Sequence, residues 1–167
     1  MYHVKQMKAE STRQAQLRRL QDTLAVAGGG VIAFGAWSLA KIALLFALYN
    51  EEAVFQLFHF GSGTPMPLVF VVVIFVGCFD LLIRLFVGLS ARAEGHGEKK
   101  GSFYLIVAGF IAVANVASIA SLAFGSSVNL SLFDAAVSVA IDTTSFATLI
   151  LMIRCAVRLR QLNRQTE

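Results

Sequence analysis

The sequence predicts an all-α integral membrane protein: a four-transmembrane-helix bundle, N-in/C-in, with a short basic cytoplasmic helix before the first span. Three observations carry this. Four runs, at about 25–49, 68–90, 103–125 and 135–157, are nearly uncharged, and a spanning helix needs about 20 mostly apolar residues. The 167-residue chain is 57% hydrophobic and 14% charged, whereas a soluble domain carries about 25% charged residues. The Lys and Arg side chains gather in alternate connections. This divides the chain into a basic segment (1–24), a transmembrane domain (25–157) and a basic tail (158–167).

Residues 1–24 hold Lys5, Lys8, Arg13, Arg18 and Arg19. Within them "STRQAQLRRLQDTL" is rich in helix formers and sets Leu17, Leu20 and Leu24 at helical spacing. Two readings stand: a helix lying on the membrane surface, or a solvated extension of the first span. The apolar run that follows is too long for a signal-peptide core and lacks a small-residue cleavage site, so it reads as an uncleaved span.

The connections follow in turn. "NEEAVFQLFHFGSGTPMP" closes the first run with Glu51 and Glu52 and opens the second with Pro65 and Pro67; its "EEAVFQLFHF" suits the outer interface. "SARAEGHGEKKGS" is charged and glycine-rich, with Arg92, Lys99 and Lys100. "GSSVNLSLFD" is short and polar, and Asp134 is placed to cap the fourth helix. The C-terminal end has Arg154, Arg158, Arg160 and Arg164. The first and third connections have no Lys or Arg. By the positive-inside rule both termini are expected on the cytoplasmic face of a plasma or inner membrane. The basic flanks could attract anionic lipid. A pI near 9.4 is explained by these flanks, so nucleic acid is not an expected partner.

On the first span Gly29, Ala33, Ala36, Ala40, Ala43 and Ala47 recur at alternating steps of four and three. Small residues let helix backbones approach closely in lipid, and a 3.5-residue period implies a left-handed crossing. The partner of this seam is a neighbour in the bundle, a homo-oligomer mate or another membrane protein. Ala114, Ser118, Ser121 and Gly125 repeat the theme on the third span. A parallel internal repeat is also suggested: "LAKIA" (39–43) aligns with "VANVA" (113–117), setting Lys41 against Asn115, and Asp80 and Asp142 each precede an arginine by twelve residues.

The candidate site is the set of polar groups inside the apolar runs: Lys41, Asp80, Arg84, Asn115 and Asp142. A charge near the midplane costs roughly 3 kcal/mol on insertion scales. Asp80 and Arg84 are i, i+4 and share a helix face, along with Gly77, Gly88 and Ala91. Matching depths pairs Lys41 with Asp142 and Asp80 with Arg84, with Asn115 as a bridge. Ser138, Ser145, Thr143, Thr144 and Thr148 lie near Asp142. Such a network serves either as polar glue between helices or as a path for an ion, proton or small solute.

"FDLLIRLFVGLSAR" resembles the second helix of voltage-sensor domains, in which an acid precedes a base by four residues among bulky apolar side chains. The resemblance implies four helices with cytoplasmic ends and makes Asp80 the acid that stabilises moving arginines. It covers only residues 79–92. The fourth helix departs from the pattern: Arg154, Arg158 and Arg160 are irregularly spaced and bunched at one end, and "DTTSFATLILMI" has no base.

No phosphate loop, HExxH or nucleophile elbow is present, so no enzyme is expected and no cofactor is implied. His3, His59 and His96 make no metal spacing. Cys78 and Cys155 fall at different depths and are expected to be unpaired, buried, small hydrophobes. Two functional classes follow: permeation or transport as an oligomer, with Asp80 and Asp142 as binding groups, or a non-catalytic subunit that docks a larger membrane partner through the first helix and its charges.

Overall fold

A computed structural model describes residues 2–48, 65–124 and 132–164. These form four helices: α1 (Tyr2–Leu48), α2 (Met66–Gly95), α3 (Phe103–Phe124) and α4 (Leu132–Arg164). Each contains a stretch long and apolar enough to cross a membrane, the make-up of a multi-pass membrane protein. In lipid an open-ended backbone can satisfy its own hydrogen bonds only as a helix.

α1 is unbroken over 47 residues, so the separate basic helix before the first span is not formed. Residues 11–24 extend the span, as one of the two readings had it, but the extension is packed rather than frayed and solvated. Leu17, Leu20 and Leu24 explain it, because they pack onto the main core of the bundle. The interfacial segment expected at 51–60 lies outside the described residues. Asp134 does not cap α4: the helix begins two residues earlier, at Leu132. The side chain of Asp134 lies outside the described residues.

The helices form a ring in which α1 packs mainly on α2 and also on α4, while α3 packs on α4 and α2. The α1–α2 contact is made by glycine. A Cβ on Gly28 would sit 2.6 Å from the Gly88 carbonyl oxygen, and one on Gly88 would sit 2.6 Å from that of Gly28. Farther along, Gly95 meets the Gln21 carbonyl and the Ala25 amide, at 2.8 and 2.9 Å from a would-be Cβ. The backbones touch where side chains are missing, which is the small-residue packing expected in lipid.

The predicted seam is not the one used for this contact. Gly29 is half-buried with open space where a Cβ would be, and Ala33, Ala36, Ala40, Ala43 and Ala47 are exposed. Gly28, Ile32, Gly35, Leu39 and Ile42 face α2 instead. On α3, Ala114 and Ser118 are also exposed; the side chain of Ser121, and Gly125, lie outside the described residues.

The main core occupies the end of the bundle that holds the α2–α3 connection. Leu24 and Val31 of α1, Val87 and Ala91 of α2, Tyr104 and Ala108 of α3, and Leu149, Met152 and Ala156 of α4 are nearly inaccessible there. A smaller cluster, Val69 and Val73 with Ile42 and Phe46, closes α1 on α2 at the other end. Pro65 is the N-cap of α2, with Pro67 in its first turn, where the missing N–H costs nothing.

α2 ends in a Schellman motif. The Glu98 amide donates to the Ala93 carbonyl (3.1 Å) and the Gly97 amide to that of Glu94 (3.0 Å). Gly97 supplies the left-handed φ of +93° that the motif needs. Ser102 starts α3 by accepting from the Leu105 amide at 3.1 Å.

Candidate functional site

Arg84 is the centre of the intramembrane cluster, and all four helices meet at it. Its position on α2 points the side chain across the bundle axis. Its Nε donates to Asp80 Oδ2 one turn back at 2.8 Å. Nη1 donates to Ser145 Oγ of α4 at 3.3 Å, and Nη2 to Asn115 Oδ1 of α3 at 3.5 Å. The Asn115 amide closes the circuit by donating to Ser145 Oγ at 3.2 Å. From α1, Gly35 lies against the aliphatic stem, where a Cβ would come 3.1 Å from Arg84 Cδ.

A guanidinium suits this place because its planar fork serves several acceptors at once and its charge is weakly hydrated. Pairing with Asp80 makes the cluster neutral, and the amide and hydroxyl occupy further donors. The Arg84 side chain is 12% exposed and the Asp80 side chain 35% exposed. Asp80 therefore reaches toward the lipid-facing side while Arg84 is enclosed. Asn115 and Ser145 are buried.

The structure thus brings together Asp80, Arg84 and Asn115 and adds Ser145 as a fourth member. Lys41 and Asp142 stand differently. Lys41 is exposed on α1 and Asp142 is half-buried on α4. Among the described residues the expected Lys41–Asp142 pair is not formed, because depth alone does not fix which faces of α1 and α4 meet. The suggested repeat is not kept at Lys41 and Asn115 either, the first being exposed and the second buried. Near Asp142, the Thr144 and Thr148 hydroxyls turn back to the carbonyls of Ala140 and Thr144, a local habit of threonine in helices.

A second polar cluster, at the α2–α3 connection, was not singled out in the sequence. Glu94 is 6% exposed. Its carboxylate takes a bidentate pair from Arg160 of α4, Nε to Oε1 at 2.7 Å and Nη2 to Oε2 at 2.8 Å. The Tyr104 hydroxyl of α3 also donates to Oε2, and the guanidinium lies 5.7 Å from the Tyr104 ring centre. Arg160 then holds the connection itself, through Ser102 Oγ at 2.6 Å and the Lys100 and Gly101 carbonyls at 3.1 and 3.2 Å. One signal could have found it: Glu94 is an acid in a basic connection, followed ten residues later by a tyrosine at a helix start.

No protein family, curated protein or solved structure matches the chain. The reading of the site therefore rests on its own chemistry. Where the voltage-sensor likeness would set Asp80 against arginines of the fourth helix, its arginine is Arg84 of the same helix, and Arg160 of α4 is engaged by Glu94. Among the described residues no His/Cys/Asp/Glu group could hold a metal. Cys155 and Cys78 are both free; Cys155 is buried as expected, but Cys78 is exposed.

Chemically, both clusters consist of groups that satisfy one another, and among the described residues no buried side-chain polar atom lacks a partner. They are suited to fixing the register of α2, α3 and α4.

Proposed function

We propose that this chain is a non-catalytic membrane subunit that assembles in the bilayer through the outward face of α1, with both termini cytoplasmic in a plasma or inner membrane. The observation that carries the reading is the contrast between two outward faces. α2 shows bulky side chains, among them Phe70, Phe75, Val76, Phe79, Leu82 and Leu89, which suit lipid. α1 shows Ala33, Ala36, Ala40, Ala43 and Ala47 exposed and in register, flanked by exposed Trp37, Lys41 and Leu44. A small-residue stripe gains little from lipid tails and much from a close helix. Its partner is a helix of a second copy or of a larger membrane protein. The basic residues of the tail, the 91–102 connection and the C-terminal end support the sidedness.

The test is Ala36→Leu with Ala40→Leu, followed by sizing in mild detergent and by recovery of co-purifying chains from native membranes. The expected result is loss of the assembly with an unchanged melting temperature, since these residues do not support the bundle. An assembly unaffected by both substitutions refutes the reading.

Permeation or transport as an oligomer is the second reading, favoured by the partial exposure of Asp80 within its span. It expects ion or proton flux from the purified chain in liposomes, abolished by Asp80→Asn. Silence from folded protein argues against it.

A further inference from the structure

Two recesses lie on one flank of the α1–α4 contact. The first, about 420 Å³, is lined by Gln16, Arg19 and Leu20 of α1 and Arg158, Gln161 and Leu162 of α4. The second, about 460 Å³, includes Asp22, Val26 and Gly30 of α1 with Thr148 and Leu151 of α4. The two helices run antiparallel. Arg13 Nη2 donates to the Leu162 carbonyl at 2.7 Å, and a Cβ on Gly30 would lie 3.2 Å from Thr148 Cγ2. Arg19 and Arg158 fall between these two contacts, so they share a level. The two recesses follow one another along the groove between these two helices, polar and basic at the chain-terminal end and more apolar deeper in the span.

We infer that this groove binds one monoanionic phospholipid, its phosphate between Arg19 and Arg158 and an acyl chain along Val26, Gly30 and Leu151. The order of chemistry along the groove matches that of a lipid. Both arginines are exposed and sit where α1 and α4 leave the apolar spans, which is the headgroup layer. Gln16 and Gln161 add neutral donors beside them. Asp22 stands at the junction, so the lining is two positive and one negative, a net charge that balances a single phosphodiester. Guanidinium groups are well matched to phosphate oxygens. A free phosphate would have no use for the apolar stretch. The groove borders the alanine seam, since Asp22 and Val26 precede Gly29 and Ala33 by seven residues on α1, but it lies nearer the chain terminus than Ala36 and Ala40, so the substitutions that test the seam and those that test the groove are separate.

The test is native mass spectrometry of the full chain released from nanodiscs of mixed phosphatidylcholine and phosphatidylglycerol. The expected result is one retained phosphatidylglycerol per chain. Arg19→Gln with Arg158→Gln lowers its retention by at least about tenfold, since the loss of even one of the two charge-assisted contacts is worth about that much. Arg18→Gln, outside the groove, leaves retention unchanged, and so does excess inorganic phosphate. An unchanged melting temperature for the double variant shows that the fold survives. Equal retention of the two lipids, indifference to the double substitution, or displacement by inorganic phosphate would each overturn the inference. So would release of a second protein chain, rather than lipid, on substituting the two arginines.

Discussion

Replacing Arg84 by methionine removes the centre of the intramembrane cluster while keeping an unbranched apolar stem of similar length. Asp80 then loses its counter-charge inside the bilayer. Breaking a buried ion pair from one side costs about 3–5 kcal/mol. Two features reduce this. The Asp80 side chain is 35% exposed, so the bundle does not fully enclose it, and Asn115 and Ser145 keep their mutual bond. The expected cost is about 2–3 kcal/mol. The double variant Asp80→Leu with Arg84→Met removes both charges and leaves an amide–hydroxyl pair in an apolar bundle. Such exchanges are often neutral or stabilising, so it is expected to recover most of the loss. Cys155, buried in the main core, is a reporter of unfolding through its reaction with a thiol dye on heating, in a Cys78→Ala background that removes the exposed thiol. The refuting result is a double variant as unstable as the single one, which would mean that the energy lies in packing against Gly35 rather than in the charge pair.

Three further outcomes are expected. Gly28→Val forces α1 and α2 apart, because its Cβ would lie 2.6 Å from a backbone oxygen, and should cost about 3 kcal/mol in the same assay, the upper end of the usual overpacking cost; Gly29→Val, beside it in sequence but with nothing within 4 Å, should cost under about 1 kcal/mol. Arg160→Ala leaves buried Glu94 without its bidentate partner, for a loss of about 3–5 kcal/mol, and frees the connection that Arg160 holds, so limited trypsin cleavage at Lys99 and Lys100 should accelerate. Arg160→Lys should restore only part of either property, since an ammonium cannot make the paired bonds of a guanidinium.

Much of the fold was legible because bilayer thickness and backbone chemistry leave few solutions for apolar runs of this length. Four helices near the predicted positions follow from composition alone. The sequence also made the Asp80–Arg84 pairing readable, since residues four apart on a helix must be neighbours. Long-range facts were harder to read. The exposed seam from Gly29 to Ala47 and the contact through Gly28 and Gly88 look alike in one dimension: both are small residues at helical spacing. Only the partner's shape, with Ile32 and the Gly88 carbonyl opposite Gly28, decides which is buried. Depth matching of Lys41 with Asp142 failed for the same reason, because depth specifies a level and not an azimuth. Glu94 was hidden by its setting: an acid among basic and glycine residues reads as solvated until Arg160, distant in sequence, is folded onto it.

The two ion pairs differ in how far apart their members lie along the chain, and this orders their formation during synthesis. Asp80 and Arg84 are four residues apart, so the acid enters the bilayer with its counter-ion already beside it in the same nascent helix. Glu94 and Arg160 are 66 residues apart. At roughly 5–20 residues per second the carboxylate waits about 3–13 s before the ribosome has made its partner. It waits at the edge of the membrane, where water can solvate it, whereas Asp80 has no such refuge. The local pair makes insertion of a charged helix possible, and the distant pair closes the bundle after the last helix has arrived.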